Sequence, residues 1–236
     1  MIQFYVPDIR QNPVLPQDEA RHCIKVLRTP VGGEIHVIDG KGYRYTCRLL
    51  NDNPRKAEIE IISTELIPEP WVTDITVAIA PTKNMDRMEW LTEKLTEIGV
   101  NHIIPVLCRH SERKEIKIDR LERIAVSAMK QSLKTSLPDI SQMVPLEKVL
   151  EMSGFRQKFI AYCDPSIPRR LLAKEFIPGA GKVLILIGPE GDFSIDEIEH
   201  ALNAGFLPVS LGDCLLRTET AALTACDTFH IINQMQ

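Results

Sequence analysis

The sequence predicts an α/β fold with a mostly parallel sheet, preceded by a small mostly-β module. Three observations carry this. Residues 34–62 alternate polar and apolar side chains at period two, in short runs separated by turn residues. Pro68 and Pro70 then interrupt any continuing element. From Asp74 onward, apolar strand-like runs alternate with segments of helical periodicity. That alternation implies parallel strands with both faces of the sheet covered by helices.

In the first module, residues 34–39 alternate as a strand, Asp39-Gly40-Lys41-Gly42 supplies turn chemistry, and 43–49 and 56–62 read as further strands. One helix is expected over 17–27, where Ala20, Cys23, Ile24 and Leu27 recur at helical spacing. Two closely spaced prolines suit neither a central strand nor a helix, so the boundary falls there, giving domains 1–70 and 71–236. The second domain has strand-like runs at 75–80, 103–107, 159–163, 183–187 and 208–211. A helix over 86–98 carries Met88, Leu91, Leu95 and Ile98 on one face and stops at Gly99. A helix over 120–134 has Asp119 and Glu122 spaced as an N-cap and its partner, and Ser194 with Glu197 repeats that logic. Thr218 is expected to cap a last helix reaching about Asn233. There is no internal repeat and no low-complexity segment.

With 236 residues, 44% hydrophobic and 25% charged, the chain has the composition of an ordinary globular protein and can bury a substantial core. A net charge of -4 argues against indiscriminate coating of nucleic acid, yet permits a local basic face. No basic leader precedes an apolar stretch at Met1-Ile2-Gln3-Phe4, and no run approaches membrane-spanning length, so a cytoplasmic protein without a membrane partner is expected. The six cysteines never form a C-x-x-C or a Cys/His ligand spacing, so buried free thiols and no metal are expected.

In parallel sheets, ligands gather beyond the carboxyl ends of the strands. Two glycine-containing stretches fall there: Gly188-Pro189-Glu190-Gly191-Asp192-Phe193, and residues 211–221 with Gly212 and Arg217. Neither is a P-loop or a dinucleotide fingerprint, since Gly179-Ala180-Gly181 precedes a strand, and no G-x-S-x-G occurs. What remains is either a loop whose glycines admit a ligand to backbone groups, or a plain strand-to-helix turn. Arg217 says more. It precedes a helix N-terminus, where a cation is disfavoured by roughly 0.3–1 kcal/mol, which suggests work on an anion or on a polar base edge rather than a solvated side chain. Glu219 is favoured by the same dipole, so a structural role suits it as well as a catalytic one. Arg123, Ser127, Lys130 and Lys134 share a face of the 120–134 helix, and residues 109–114 add a basic loop; these are a solvated face or a phosphate track.

Taken together, "LIGPEGDFS" and "LGDCLLRTETA" resemble the paired C-terminal motifs of the RsmE family, the bacterial small-subunit ribosomal RNA uridine-N3 methyltransferases of the SPOUT superfamily. "KNMDRMEWLTEKLTEIGVNHIIPV", "AMKQSLKTSLPDI" and "HCIKVLRTPVGGEIHVIDGKGY" extend the similarity over nearly the whole chain. The resemblance implies a PUA-like β-barrel that binds RNA, followed by a trefoil-knotted SPOUT domain that forms a homodimer. It implies S-adenosyl-L-methionine as cofactor, bound by Leu186, Ile187, Gly188, Pro189, Glu190, Gly191, Leu211, Gly212, Leu216, Arg217, Thr218 and Ala221. Asp192 stands where the family commonly has a second glycine, Lys130 at a commonly acidic position, and Lys134 at a common arginine, whose bidentate fork lysine lacks.

The activity so implied is methylation of N3 of a uridine in the decoding region of 16S rRNA, within the small ribosomal subunit. Arg217 is expected to hold a uracil carbonyl, with Glu190, Glu219 or water taking the proton. RNA contacts are expected from Arg10, Arg21, His22, Lys25, Arg28, Arg123, Lys130 and Lys134. The competing readings are a related knotted enzyme acting on another RNA or a ribose oxygen, and a non-catalytic RNA-binding protein with a decayed donor pocket.

Overall fold

The computed structural model describes residues 2–164, 168–179 and 181–235. It divides into two compact units: Met1–Pro70 with Val126–Leu137, and Trp71–Ala125 with Pro138–Gln236. Residues 126–137, expected inside the second domain, thus group with the first unit.

The first unit is built on a five-stranded sheet. Its strands are β1 (Gln3–Tyr5), β2 (Val14–Leu15), β3 (Glu34–Ile38), β4 (Tyr43–Leu49) and β5 (Ala57–Leu66), in the order β1-β3-β4-β5-β2. β1 runs parallel to β3 and the other pairs are antiparallel. The period-two pattern works as read: Tyr45, Cys47 and Leu49 of β4 face a core with Phe4, Leu15, Val37 and Ile59. The helix expected over 17–27 is instead α1 (Gln17–Arg21) followed by a π-helical turn, His22–Val26. A π turn has more residues per turn, so Leu27 loses its alignment with the buried Ala20 and Cys23 and is exposed. Arg28, at φ 55, closes the segment as Thr29 N–H donates to the Cys23 carbonyl at 3.1 Å.

The second unit starts with β6 (Thr73–Ile79), α2 (Met85–Ile98), β7 (His102–Leu107), α3 (Ile118–Gln131), whose residues from Val126 onward group with the first unit, β8 (Asp139–Ile140), β9 (Val144–Pro145) and α4 (Leu146–Leu150). It continues with β10 (Gln157–Ala161), β11 (Arg170–Leu171), α5 (Leu172–Glu175), β12 (Gly181–Ile187), α6 (Ile195–Asn203), β13 (Leu207–Ser210) and α7 (Thr218–Gln234). The strand order is β11-β13-β10-β12-β6-β7-β8, with β9 also on β7, and every pairing is parallel. β12 lies between β6 and β10, which is why Val183 to Ile187 is an unbroken apolar run: all five side chains are buried. β13, β10 and β12 are neighbours, so the loops leaving their carboxyl ends converge, and that convergence positions the site.

Helix ends decide several details. Gly99 ends α2 at φ 123, and a Cβ there would lie 2.4 Å from the Trp71 ring, so both backbone angle and packing require glycine. The Ser194 and Glu197 capping box is present, with Ser194 N–H donating to Glu197 Oε2 at 2.8 Å and Glu197 N–H to Ser194 Oγ at 3.4 Å. Thr218, however, is not a cap. It is the first residue of α7, and Arg217 takes the cap position in an extended conformation with no side-chain hydrogen bond to the helix. Asp119 likewise falls inside the first turn of α3, which starts at Ile118, two residues earlier than its capping role requires. α3 ends at Gln131 and Leu133 turns left-handed at φ 58, so Lys134 leaves the helical face it was expected to share.

Candidate active site

Three loops enclose a cleft of about 520 Å³ in the second unit. Tyr162, Cys163 and Arg169 come from the chain after β10; Gly188, Pro189, Glu190 and Asp192 follow β12; Leu211, Gly212, Cys214, Leu215, Leu216 and Arg217 follow β13. Arg87 of α2, Thr218 and Ala221 of α7, and the strand ends Ala161, Ile187, Val209 and Ser210 complete the lining.

Ten residues expected at the cofactor site therefore line one cleft: Ile187, Gly188, Pro189, Glu190, Leu211, Gly212, Leu216, Arg217, Thr218 and Ala221. Leu186 and Gly191 do not. Leu186 is fully buried in the hydrophobic core, because its place one residue inside β12 turns it from the strand end. Gly191 faces His110: a Cβ there would be 3.2 Å from that of His110, and its carbonyl lies 3.1 Å from His110 Nδ1. Sequence reasoning missed Tyr162, Cys163 and Arg169, although the rule of strand carboxyl ends pointed to the loop after β10. Arg87 carried no signal, being one charge among several on an amphipathic helix. Gly188 matters for space: a Cβ there would lie 3.0 Å from the Phe193 ring.

Asp192 resolves the departure at the second-glycine position. Its φ is 59, a left-handed conformation that aspartate adopts more readily than most residues. The carboxylate accepts the Cys163 N–H through Oδ2 and the Phe193 N–H through Oδ1, each at 2.8 Å, while its own N–H donates to the Pro189 carbonyl at 2.9 Å. The residue thus keeps the glycine-like backbone and ties two walls of the cleft together.

The remaining polar groups differ in how far they are committed. Glu190 is exposed, and its Oε1 accepts the Lys83 N–H at 3.0 Å. Arg217 is exposed, and its side chain has no hydrogen-bond or ion-pair partner among the described residues. Glu219 is only 6% exposed; its Oε1 lies 3.6 Å from Arg87 Nε, and its Oε2 is buried without a hydrogen-bond partner among the described residues. The Arg169 guanidinium donates to the Tyr162 carbonyl and lies 5.5 Å from that ring's centre. Burial pushes the Tyr162 phenol up, and desolvation followed by the Asp192 charge does the same to the Cys163 thiol.

The residues expected to meet RNA fall into two groups. In the first unit, Arg21, Lys25 and Arg28 are exposed, with no ion pair among the described residues. Arg10 stacks 4.3 Å over the Tyr43 ring, and its Nε donates to the Tyr45 hydroxyl at 2.8 Å; that hydroxyl in turn donates to Asp39 at 3.0 Å. His22 is half-buried with its ring edge-on to Phe4. Lys130 is held by Glu19 at 2.5 Å with both side chains largely buried, which commits it to the unit's own structure. Lys134 is half-buried beyond the end of α3. In the second unit, Arg123 Nε donates to the Asp119 carbonyl of its own helix at 3.1 Å. The basic loop 109–114 is also used internally. Arg109 bonds Glu197 through its N–H at 2.7 Å and pairs with Asp196 at 3.0 Å, and Arg113 donates to the Thr82 and Lys83 carbonyls.

Comparison with known proteins gives this geometry a family. The RNA methyltransferase domain family matches residues 69–230, and the RNA methyltransferase PUA domain family matches residues 15–62. The Mesomycoplasma hyopneumoniae protein named ribosomal RNA small subunit methyltransferase E is 30% identical over 236 residues, covering 96% of this chain and 99% of that one. The chain belongs to the ribosomal RNA small subunit methyltransferase E family. A crystal structure of a probable rRNA methyltransferase from Porphyromonas gingivalis is 45% identical, with a TM-score of 0.95 over 100% of this chain and 99% of the other. A family member from Neisseria gonorrhoeae, crystallised bound to S-adenosyl methionine, is 29% identical, with a TM-score of 0.81 over 98% of each chain.

Proposed function

We propose that this chain transfers the methyl group of S-adenosylmethionine to N3 of a uridine in the decoding region of 16S ribosomal RNA, within the small subunit. The observation that carries the reading is the cleft, where loops after three neighbouring parallel strands meet around an uncommitted Arg217. Its residues fit the donor. A volume of about 520 Å³ suits a small-molecule site, and Ile187, Pro189, Val209, Leu211 and Leu216 offer apolar walls to an adenosine, beside the backbone of Gly188 and of Gly212, the latter at φ 127. When bound, S-adenosylmethionine supplies an electrophilic methyl group on a sulfonium.

The protein's part is positioning and charge. Uracil N3 must lose a weakly acidic proton, and the charge then spreads onto the flanking carbonyl oxygens. Arg217 donates hydrogen bonds to one of them, stabilising the ring anion as it forms. Burial selects among the possible bases. Asp192 has both oxygens committed, and the free Oε2 of Glu219 is shut inside the protein, whereas Glu190 is exposed with one oxygen committed. Glu190 is therefore the proton acceptor, directly or through one water.

N3 is a pairing atom, so the target base must leave any duplex before reaction. The first unit holds structured RNA by shape and backbone through Arg10, Arg21, His22, Lys25 and Arg28. The three converging loops are those of a trefoil knot, the working enzyme is a homodimer, and it acts in the cytoplasm. Mass spectrometry of nucleosides from small-subunit RNA, with and without the gene, tests the reading. Loss of 3-methyluridine is the expected result, and loss of a ribose-methylated nucleoside instead would overturn it.

A further inference from the structure

Removing the N3 proton puts negative charge on two carbonyl oxygens, one on each side of the nitrogen, and the reading above gives Arg217 only one of them. The cleft contains a second candidate donor. Arg87 lines the same cleft, its side chain makes no hydrogen bond to the described residues, and its one ion pair is long, 3.6 Å from Nε to Glu219 Oε1. Arg169, the third arginine of the lining, is committed to Tyr162.

Position argues that Arg87 is there for a ligand. It sits in the first turn of α2, as Arg217 sits at the cap of α7, and both places are the positive ends of helix dipoles, where a cation is disfavoured. Glu219 compensates for both. It lies in the first turn of α7, two residues from Arg217, and its nearly buried carboxylate contacts Arg87. A carboxylate that deeply buried with one oxygen unpartnered is costly as it stands, and a guanidinium that swings from a single long contact to a bidentate one would satisfy both oxygens. Contacts of this kind tighten when substrate arrives. Glu219 is itself shut away from the reacting atoms.

We infer that Arg87 is a second catalytic arginine, holding the other carbonyl oxygen of the uracil anion opposite Arg217, and that Glu219 is the positioning residue that aims it. This rests on the uridine-N3 reading above. In balance, the N3–H bond breaks with its proton going to Glu190 or water, the N3–methyl bond forms, and the sulfonium–methyl bond breaks with its electron pair returning to sulfur.

The test compares wild type, R87A, R87K, E219Q and the R87A/E219Q double variant. Donor affinity is measured by calorimetry, and single-turnover methylation of unmodified small subunits is followed across pH, with nucleoside analysis of the product. In R87A the single-turnover rate is expected to fall about 100-fold or more while donor affinity stays within about threefold. Its rate should rise at higher pH than that of wild type, because the ring anion is less stabilised, and added guanidinium should restore part of the rate. R87K should recover little, lacking the fork. E219Q should fall less than R87A, and the double variant should match R87A alone, as expected of a residue acting through Arg87. An R87A rate within threefold of wild type, an unshifted pH profile, a loss entirely in donor affinity, or a double variant with multiplied defects would each overturn the inference. A wild-type product other than 3-methyluridine would instead overturn the reading on which it rests.

Discussion

Asp192 Oδ2 accepts the backbone N–H of Cys163 at 2.8 Å, joining the loop after β12 to the loop after β10 across one end of the cleft. Together with the bond to the Phe193 N–H, this makes a non-glycine residue at positive φ a brace rather than a defect. Asp192→Ala keeps the backbone cost and loses both bonds, so a destabilisation of about 1–3 kcal/mol is expected in urea unfolding, with weaker donor binding. Asp192→Gly relieves the backbone and should lose less stability, but it should still bind S-adenosylmethionine more weakly in calorimetry. If the glycine variant bound the donor as well as wild type, the brace would have no part in shaping the cleft.

That brace also marks where the sequence stopped being readable. The motif pair located two walls of the cleft because glycines and an arginine at strand ends carry a local signal. The wall after β10 has no glycine to mark it: Tyr162 and Cys163 become site residues only because β13, β10 and β12 lie side by side, an order that local periodicity does not encode. Strands and long helices were legible, since burial follows period two in β4 and Met88, Leu91 and Leu95 share the buried face of α2. Short elements such as β1 and α5 span less than two periods and left no pattern. The basic residues stayed open between two readings for a related reason. Charge can be counted in a sequence, but the carboxylates and carbonyls that occupy Arg109, Arg113 and Lys130 arrive from distant positions.

Arg217 is the uncommitted cation of the cleft, and its removal separates chemistry from binding. Arg217→Ala is expected to lower kcat by about 10²–10³ while leaving S-adenosylmethionine affinity nearly unchanged, because the interaction strengthens only as the ring anion forms. Since the side chain holds nothing together in the free protein, thermal unfolding should shift little. A methylation rate that survives the substitution would remove Arg217 from the chemistry.

Thiol chemistry reports on the same cleft. Cys23, Cys47, Cys108 and Cys226 are buried, and burial pushes the Cys47 and Cys108 thiols up to about 12, so at neutral pH they are both protonated and inaccessible. Cys163 and Cys214 are exposed and line the cleft. Alkylation of the native protein, read by mass spectrometry, should therefore label these two and spare the other four. Cys163 should react more slowly at neutral pH than a free thiol and accelerate as pH rises, because its pKa is raised and the thiolate is the reactive form. S-adenosylmethionine should protect both. Labelling that is indifferent to the donor would place its site elsewhere.

RNA binding separates free from committed cations in the first unit. Arg21, Lys25 and Arg28 are exposed and make no ion pair among the described residues, so replacing each by Ala should weaken RNA binding and flatten the dependence of log K on log salt by about one counterion per lost phosphate contact. Lys130 predicts the opposite pattern. Its ion pair with Glu19 is largely buried, and a lone carboxylate left there is costly, so Lys130→Ala should destabilise the fold by about 3–5 kcal/mol without changing the salt slope of the protein that remains folded. Replacing Lys130 and Glu19 together by apolar residues should recover much of that stability, since the unpaired buried charge is gone. Unfolding by denaturant and RNA titrations over a salt series, carried out on the same variants, read the two effects independently. A reduced salt slope in the Lys130 variant would show that this lysine leaves Glu19 to bind phosphate.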